Sequence, residues 1–437
     1  MTMDSTIHAE WHALQDVVIH RPGVEMFFGL LEPFSFLYER AFSMDEAVYE
    51  HMELERALAR AGVRVHRLKR LAVNQQREDP LLAHEARQHA EEIVKFDGPR
   101  EEAIRARKEF QSNLATLDAE TIFNILVLRP SVHLDEGKGT RIIFPRVTLD
   151  VPLANLYFMR DQQAVSDLGV IVSRMSKPQR RMEPQITSTI LQMAGAKIAH
   201  RVVAPGTFEG GDFIPAGDFA LLGLGDRTNR SGVNQILAHG VGFEEVAVVH
   251  QPAHPLIPGD EPDPMVDMHV DTYLNIPGKG VAVGCVPLLK RALVEVYRKK
   301  ADGRYEVMSG SPTVYDYLVG KGFTVVPITT LEQLCYASNF LCVRDHHILA
   351  VEVDQVVDRV MKNLQVEAAA DPHRYQALLH QAEKEYSELK ESNRFFPWKK
   401  EFDELGIEAT AIPLQEITGG YGGAHCMTCA ISRRPTD

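Results

Sequence analysis

Five polar clusters recur along this sequence after residue 150, and four of them are followed by a short strand-like run. The runs cover residues 164–174, 219–224, 280–286 and 340–353. The intervals between clusters are unequal, roughly 50 to 90 residues, so the pattern is at most a degraded internal repeat. It predicts a pseudo-symmetric body whose loops converge on one centre. The clusters themselves lie at residues 155–161, 209–212, 269–272, 338–339 and 422–429.

The opening segment predicts an α/β architecture. Residues 14–23 are typical of a strand that ends at a Pro-Gly turn, and residues 45–62 carry apolar side chains at helical spacing with Gly62 as a C-cap. Residues 63–68 then alternate between apolar and polar side chains, as a second strand does. A strand–helix–strand opening of this kind favours an α/β fold.

Two segments interrupt the α/β pattern with strongly helical composition. Residues 74–127 predict an inserted helical bundle, interpreted as a solvated cover for one edge of the body, with a separate binding module as the alternative. Residues 366–400 predict a second helical insertion. It ends in the aromatic cluster 395–398, which is either an anchor for the helix or a partner surface. The proline-rich stretch 251–264 predicts a loop.

Length and charge restrict the class of protein. The 437 residues allow several domains or one large enzyme, and we predict a single catalytic domain over residues 1–437. A formal net charge of −13, from 47 basic and 60 acidic residues, provides no basic surface for nucleic acid or an anionic membrane. Residues 1–15 lack the apolar stretch of a secretory signal, and the five cysteines are few and odd in number. We therefore expect a cytoplasmic protein without a disulfide framework.

The fifth cluster contains the best candidate nucleophile. Cys426 follows Gly422 and Gly423, which allow the backbone to turn tightly and approach a ligand, and His425 is its neighbour. The spacing between Cys426 and Cys429 also fits a redox pair or half of a zinc site. The choice depends on whether other clusters supply partners for a thiol.

Three other clusters supply a histidine and several carboxylates. Glu209 and Asp212 flank a Gly-Gly pair, which by itself is a weak signal that surface turns also show. His269 and Asp271 are two residues apart, so in an extended segment both side chains point to the same face. A zinc site would need further ligands at suitable spacing, and no second Cys-x-x-Cys pair is present.

The first cluster follows the same spacing rule. Asn155, Tyr157 and Asp161 lie on one face of an extended segment, with Phe158 as a candidate apolar wall. The alternative is that Arg160 and Asp161 form an ordinary surface ion pair.

A thiol, a histidine and a surplus of carboxylates without a metal favour a cationic substrate. A guanidinium presents parallel N–H donors that carboxylates bind in pairs, and its central carbon is open to attack by a thiolate. The chemistry would be addition of the Cys426 thiolate, loss of ammonia with His269 as the acid, and hydrolysis with His269 as the base.

These motifs resemble the arginine deiminases of the guanidine-modifying superfamily. The resemblance extends over nearly the whole chain and includes the helical segment 74–127, a module that related amidinotransferases lack. The stretches that carry it lie at residues 155–161, 208–212, 225–230, 268–272 and 422–429.

The resemblance implies a role for each catalytic candidate. Cys426 would be the nucleophile, His269 the acid and base, and Glu209 the residue that orients the histidine. Asp161 and Asp271 would grip the guanidinium. The implied substrate-binding residues are Asn155, Phe158, Arg180, Asp212 and Arg227.

The resemblance also implies a five-bladed α/β propeller with an inserted helical module, a site at its centre, no cofactor and a homo-oligomer. L-Arginine is the expected substrate, since two arginines suit its carboxylate. One departure concerns Tyr421, which stands where family members usually carry an arginine. Another guanidino acid, amidino transfer, and a thiol redox or zinc-binding protein built on Cys426 and Cys429 remain the alternatives.

Overall fold

The structure, a computed structural model, describes residues 3–134, 146–259, 263, 266 and 268–435. Its strands in these ranges are β1 Ala13–Ile19, β2 Arg64–Arg67, β3 Lys95–Asp97, β4 Pro130–His133, β5 Arg146–Leu149, β6 Gln163–Ser166, β7 Gly169–Val172, β8 Ile198–Arg201, β9 Phe213–Ala216, β10 Phe219–Leu224, β11 Glu245–His250, β12 Leu274–Gly278, β13 Val281–Cys285, β14 Val294–Lys299, β15 Tyr305–Val307, β16 Thr324–Ile328, β17 Leu341–Arg344, β18 His347–Val351, β19 Glu408–Ile412 and β20 Thr428–Arg434.

The α-helices surround these strands, and short 3₁₀ turns occupy several of the loops. The helices are α1 Val24–Leu30, α2 Met44–Arg60, α3 Leu68–Glu78, α4 Pro80–Ile93, α5 Arg100–Leu114, α6 Ala119–Leu128, α7 Glu183–Met193, α8 Arg230–His239, α9 Val286–Leu289, α10 Val314–Gly320, α11 Thr330–Leu334, α12 Val353–Ala370, α13 Pro372–Ser392 and α14 Lys400–Leu405. The 3₁₀ turns are Pro33–Phe36, Pro178–Arg180, Gly210–Asp212, Val270–Thr272 and Ile417–Gly420.

One three-stranded unit recurs in five sheets of the described chain. In each unit the middle strand is antiparallel to one neighbour and parallel to the other, and the parallel partner follows the middle strand in the chain through a helix, as a parallel crossover requires. The body is therefore a mixed α/β fold. The units are β20-β1-β2, β6-β7-β8, β9-β10-β11, β12-β13-β16 and β17-β18-β19, and β14 and β15 extend the third.

The two chain ends complete one unit together. Val17, Val18 and Ile19 of β1 are fully buried, and β1 pairs with β2 on one side and with β20 on the other. The expected opening is confirmed, since α2 lies between β1 and β2. Its N-terminus is capped by Ser43, and Gly62 follows its end with a φ of 81°. The N-terminal strand thus needs the C-terminal strand as its partner.

Two of the expected strand runs are hairpins rather than single strands. Residues 164–174 contain β7 and most of β6, which meet at a turn, and residues 340–353 contain β17 and β18. Polar turn residues (Asp167 in the first run, Asp345 in the second) interrupt the apolar pattern at these points. The runs at 219–224 and 280–286 correspond to single strands, β10 and β13.

The segment 74–127 is helical for most of its length, as expected, but it also includes a strand. Helices α3 to α6 cover it, and β3 lies between α4 and α5 and pairs with β4, which pairs in turn with β5. Apolar side chains such as Ala90, Ile122 and Phe123 are buried between α4, α6 and the body. The segment is therefore a helical layer with its own small sheet.

The second helical segment is anchored by its aromatic cluster. Phe396 is fully buried, stacks on Phe340 with ring centroids 6.2 Å apart, and meets Phe402 edge-on. Trp398 is half exposed. The anchor interpretation of this cluster is confirmed. Part of the loop expected at 251–264 (residues 260–262 and 264) lies outside the described residues.

A large apolar core runs through most of the body, and a second cluster fills the space between β9, β10, β11 and α8. Across the described ranges, no helix has both the length and the apolar character that spanning a bilayer demands.

Candidate active site

The five polar clusters occupy equivalent positions in the five units. Each lies in the loop immediately before the first strand of a unit, namely β6, β9, β12, β17 or β20. Hydrogen bonds join each cluster loop to the next and the fifth loop back to the first. They run from Gly210 N–H to the Asp161 carbonyl, Val270 N–H to Asp212, Ser338 Oγ to the Asp271 carbonyl, His425 N–H to the Asn339 carbonyl and Arg160 N–H to the Cys426 carbonyl. The predicted convergence of the clusters is therefore confirmed by their contacts.

The Cys426 thiol is buried in a polar pocket, with 3% of the residue exposed. Its Sγ accepts a hydrogen bond from Asn339 Nδ2 at 3.0 Å and lies 3.7 Å from Asp271 Oδ2. Asn339 Oδ1 also accepts the backbone N–H groups of Gly423 and Cys426, at 2.8 and 3.0 Å. Asn339 thus holds the nucleophile loop, and the sequence pointed to it only as part of a polar cluster.

Glycine is required beside the nucleophile because the loop packs closely. A Cβ atom on Gly422 would lie 2.6 Å from Phe158 Cε1 and 2.9 Å from Cys426 Cβ. No other residue would fit without moving the ring or the nucleophile, so the small residues before Cys426 have a steric cause.

His269 and Glu209 form the pair that the resemblance implied. His269 Nε2 lies 3.0 Å from Glu209 Oε2, and Glu209 Oε1 accepts the Ser176 N–H at 2.9 Å. Burial would raise the pKa of Glu209, but the charge of Arg227 and the hydrogen bond to His269 lower it to about 2. The carboxylate is therefore ionised and fixes the imidazole ring.

Two acidic neighbours, Asp161 and Glu209, keep His269 charged. Burial would lower its pKa, but the charge of Asp161 and the hydrogen bond to Glu209 raise it to about 9. An imidazolium at neutral pH is a proton donor, which is what a group assisting the loss of ammonia requires. Gly211 makes room for it, because a Cβ there would lie 2.8 Å from His269 Nδ1 and 3.1 Å from Asp161 Oδ1.

Asp161 and Asp271 each keep one carboxylate oxygen without a hydrogen bond. Asp161 Oδ2 accepts from Arg180 at 2.7 Å, and Asp271 Oδ2 lies 2.7 Å from His425 Nδ1. The two Oδ1 atoms are buried and accept no hydrogen bond from the residues that the structure describes. Buried acceptors without donors are rare in folded proteins, and a ligand with N–H groups would satisfy them.

The carboxylates also control the thiol. Burial raises the pKa of Cys426 well above its ordinary value, and the charges of Asp271 and Asp161 raise it further, while the hydrogen bond from Asn339 lowers it. On balance these effects keep Cys426 a protonated thiol.

His425 lies between two acidic side chains. Its Nδ1 is hydrogen-bonded to Asp271, and its Nε2 lies 3.7 Å from Glu10 Oε1. Glu10 in turn pairs with the buried Arg160 and Arg433, each at 2.9 Å. In the sequence, only the position of His425 beside Cys426 indicated a role for it, because Asp271 and Glu10 are distant along the chain.

Arg160 does not form a surface ion pair with Asp161, and that alternative is wrong. Both residues are buried, and the Arg160 guanidinium bonds to Glu10 and to the carbonyls of Gly210 and Phe213. Arg160 therefore ties the first cluster loop to the second.

The two arginines expected to bind a carboxylate lie at the site but already have acidic partners. Arg180 pairs with Asp161 at 2.7 Å and with Glu183 at 3.0 Å. Arg227 lies 3.8 Å from Glu209 Oε2 and 3.4 Å from Asp226 Oδ2. In this structure the two guanidinium groups therefore interact with carboxylates of the candidate catalytic set, Arg180 with Asp161 and Arg227 with Glu209.

The remaining expected substrate residues are also brought to this centre. Phe158 packs on Tyr157 with ring centroids 4.0 Å apart, and Asn155 Nδ2 donates to the Phe36 carbonyl at 2.7 Å. Asp212 accepts hydrogen bonds from Thr228, Gln251 and the Val270 N–H. Through the Val270 N–H, Asp212 joins the second cluster loop to the third.

Cys429 is placed differently from Cys426. It lies within β20 opposite Val18, and burial raises its thiol pKa to about 12. Within the described ranges, no three His, Cys, Asp or Glu side chains are arranged to hold a metal ion.

Comparisons with known proteins agree with this arrangement. The model of the family described as "Arginine deiminase" matches residues 34–433. An arginine deiminase of Halobacterium salinarum is 26% identical, and the match covers 98% of this chain and 96% of that protein. An arginine deiminase of Limosilactobacillus reuteri is 25% identical over 67% of this chain and 79% of its own length.

Among solved structures, a dimethylarginine dimethylaminohydrolase in an adduct with S-methyl-L-thiocitrulline has a similar fold. The TM-score is 0.50 at 14% identity, and the match covers 95% of this chain and 99% of that chain. The family match extends over nearly the whole chain and includes every cluster of the site. The chain therefore belongs to the arginine deiminase family.

Proposed function

We propose that this protein hydrolyses a guanidino substrate, L-arginine in the first instance, to L-citrulline and ammonia. One observation carries the proposal. The two buried carboxylate oxygens without donors, Asp161 Oδ1 and Asp271 Oδ1, belong to residues beside the Cys426 thiol and the His269 imidazolium. A planar guanidinium has the N–H pairs to satisfy both.

The substrate's charge would also activate the thiol. Burial and then the charges of Asp271 and Asp161 hold the pKa of Cys426 high, and a guanidinium between the two carboxylates would offset their share of that effect. Thiolate formation would then be coupled to the binding of a cation. The Asn339 hydrogen bond to Sγ would stabilise the thiolate in the same step.

The chemistry follows in two halves. The Cys426 thiolate adds to the guanidinium carbon, and His269 gives its proton to the leaving nitrogen, so that ammonia departs and an S-alkylthiouronium remains. Water then adds to the same carbon as His269 takes its proton. Collapse of that adduct expels the thiolate and leaves a ureido product. Glu209 acts as the positioning residue for His269 throughout.

The other site residues would bind the rest of the substrate. Asn155, Phe158 and Asp212 are proposed to line its path, and Arg180 and Arg227 to meet a carboxylate at its far end. The proposed carboxylate contact requires Arg180 to share its guanidinium between the substrate and Asp161, since the two are paired in this structure.

We propose the accompanying organisation on the same basis. The five similar units would close into a five-bladed propeller that forms one catalytic domain over residues 1–437, with helical insertions at 74–127 and 366–400. The protein would act in the cytoplasm as a homo-oligomer and without a cofactor.

The experiment is an assay of ammonia and of ureido product across guanidino compounds, with water as the only co-substrate. Equal amounts of both products from arginine, and none from Cys426→Ala, are expected. Mass spectrometry of a quenched reaction should find the added mass on the peptide that contains Cys426. An adduct on Cys285, Cys335 or Cys342, or turnover only when an acceptor amine is supplied, would refute the proposal.

A further inference from the structure

A cavity of about 80 Å³ lies beside the nucleophile loop and shares residues with it. Gly422 and Asn339 line the cavity, and Asn339 is also the donor to Cys426 Sγ. Thr272, which follows Asp271, and Met268, which precedes His269, belong to the same lining. Three lining residues are therefore next to reacting groups. Asn339 is hydrogen-bonded to Cys426, and Thr272 and Met268 are sequence neighbours of Asp271 and His269.

Two carboxylates lie side by side in this cavity, and Arg40 pairs with only one of them. Glu39 pairs with Arg40 at 2.5 Å and accepts a hydrogen bond from Tyr336 at 2.6 Å. Asn363 Nδ2 donates to both Glu39 and Glu367, at 3.3 and 3.4 Å, so the two carboxylates lie side by side. No Lys or Arg of the described ranges lies within ion-pair distance of Glu367, whereas a third lining carboxylate, Asp263, pairs with Arg374 at 2.5 Å.

The raised pKa values of Glu39 and Glu367 agree with an excess of negative charge in the cavity. Burial raises the pKa of Glu39 despite the neighbouring Arg40. Burial and the charges of Glu39 and Asp263 raise the pKa of Glu367 to about 7. A bound cation would relieve the mutual repulsion of the carboxylates.

A second and independent feature points to a hydrogen-bond donor as the occupant. Gln333 lines the cavity and is only 3% exposed. Its Nε2 donates to the Val266 carbonyl at 3.2 Å, which fixes the orientation of the amide, and its Oε1 accepts no hydrogen bond from the part of the chain that the structure describes. A buried amide oxygen without a donor calls for a ligand N–H or O–H.

We propose that this cavity binds an alkylammonium group, with its N–H donors directed at Glu39, Glu367 and the Gln333 amide oxygen. The lining also contains apolar side chains, since Leu364 and Leu378 are buried there, and these suit an alkyl chain better than a hydrated ion. Tyr421 also lines the cavity.

The ammonium belongs either to the far end of the guanidino substrate or to a separate small amine. Only the first source rests on the proposed function. Binding itself is measurable without turnover, so the two ideas fail separately.

The decisive experiment is calorimetric titration of the full chain with n-butylammonium, and with n-butanol as a neutral probe of similar shape. Glu367→Gln should weaken binding of the ammonium by on the order of tenfold to a hundredfold, the usual effect of losing a charge-assisted hydrogen bond. Glu383→Gln, an exposed carboxylate change on α13, is the matched control and should bind like the unmodified protein. Gln333→Met provides a second variant of similar volume and should also weaken binding.

Absence of n-butylammonium binding, or equal affinity in Glu367→Gln and the unmodified protein, would overturn the proposal. So would equal binding of n-butanol. Thermal melts of each variant exclude loss of folding as the cause of weaker binding.

Kinetics then distinguish the two sources. If the ammonium is part of the substrate, Glu367→Gln should lower kcat/KM for agmatine but not for n-pentylguanidine, and n-butylammonium should compete with agmatine. If it is a separate ligand, n-butylammonium should change arginine turnover without competing, and Glu367→Gln should abolish that change. Both results support the cation site, whereas an effect of n-butylammonium that survives Glu367→Gln contradicts it.

Discussion

The side chain of Asn339 contacts the nucleophile twice, because its Nδ2 donates to Cys426 Sγ and its Oδ1 accepts the Cys426 N–H, both at 3.0 Å. The amide therefore couples the position of the loop to the charge state of the thiol. A residue in the fourth cluster loop thereby controls the reactivity of a residue in the fifth.

Asn339→Ala should lower kcat while the protein still folds. Loss of a hydrogen bond to a charged group costs roughly 1.5–3 kcal/mol, which corresponds to a rate lowered by about one to two orders of magnitude if the bond strengthens on thiolate formation. Steady-state kinetics measure it, with the exposed Asn113→Ala as the control. An unchanged kcat would show that the amide contributes nothing to thiolate formation.

Cys426→Ala should abolish turnover and leave the fold intact, whereas Cys429→Ala should keep most of the activity. The first thiol lies beside Asp271 and Asn339, and the second is a buried side chain within β20. Ammonia release and circular dichroism measure the two effects. Loss of activity in Cys429→Ala alone would revive a role for the cysteine pair.

His269 makes stability depend on pH in a defined window. Its pKa is about 9 in the folded protein and near 6.5 in an unfolded chain, so the folded state holds an extra proton between those values. The free energy of unfolding should therefore fall as pH rises from 6.5 through 9, by at most about 1.4 kcal/mol per pH unit. Below 6.5 this contribution is fully present.

Urea unfolding at a series of pH values measures this slope. His269→Gln removes the titrating group and should flatten the dependence across the window. The same variant should lose catalytic rate by on the order of 10²- to 10⁴-fold, the usual contribution of general acid–base catalysis. A slope that persists in His269→Gln would assign the proton to another group.

Gly211→Ala should lower both activity and stability, because the added Cβ would lie 2.8 Å from His269 Nδ1 and 3.1 Å from Asp161 Oδ1. The imidazole or the carboxylate must move to make room, and overpacking typically costs 1–3 kcal/mol. Gly320→Ala is the matched control, since a Cβ at that exposed helix position meets no atom within 4 Å. Equal kinetics in both variants would show that the Gly-Gly turn is not close-packed against the site.

Much of the catalytic set was predictable from local sequence patterns. Cys426 follows paired small residues, and His269 and Asp271 are two residues apart. The extended segment expected for that pair is wrong, because Val270–Thr272 is a 3₁₀ turn, although both side chains lie at the site. Such features are properties of a few consecutive residues. The pairing of His269 with Glu209, expected from the family resemblance, is found at 3.0 Å.

The sequence by itself determined the α/β character, the helical segments and the identity of the candidate nucleophile, histidine and carboxylates, since these depend on periodicity and on residue type. Only the tertiary structure decided their partners: Asn339 on Cys426, His425 on Asp271, Arg180 on Asp161, and Glu367 beside Glu39. His425 and Asp271 are 154 positions apart in the sequence. Asn363, which links Glu367 to Glu39, is 324 positions from Glu39. The physical reason is that hydrogen bonds and charges act through space, and no local pattern records which loops the five units bring together.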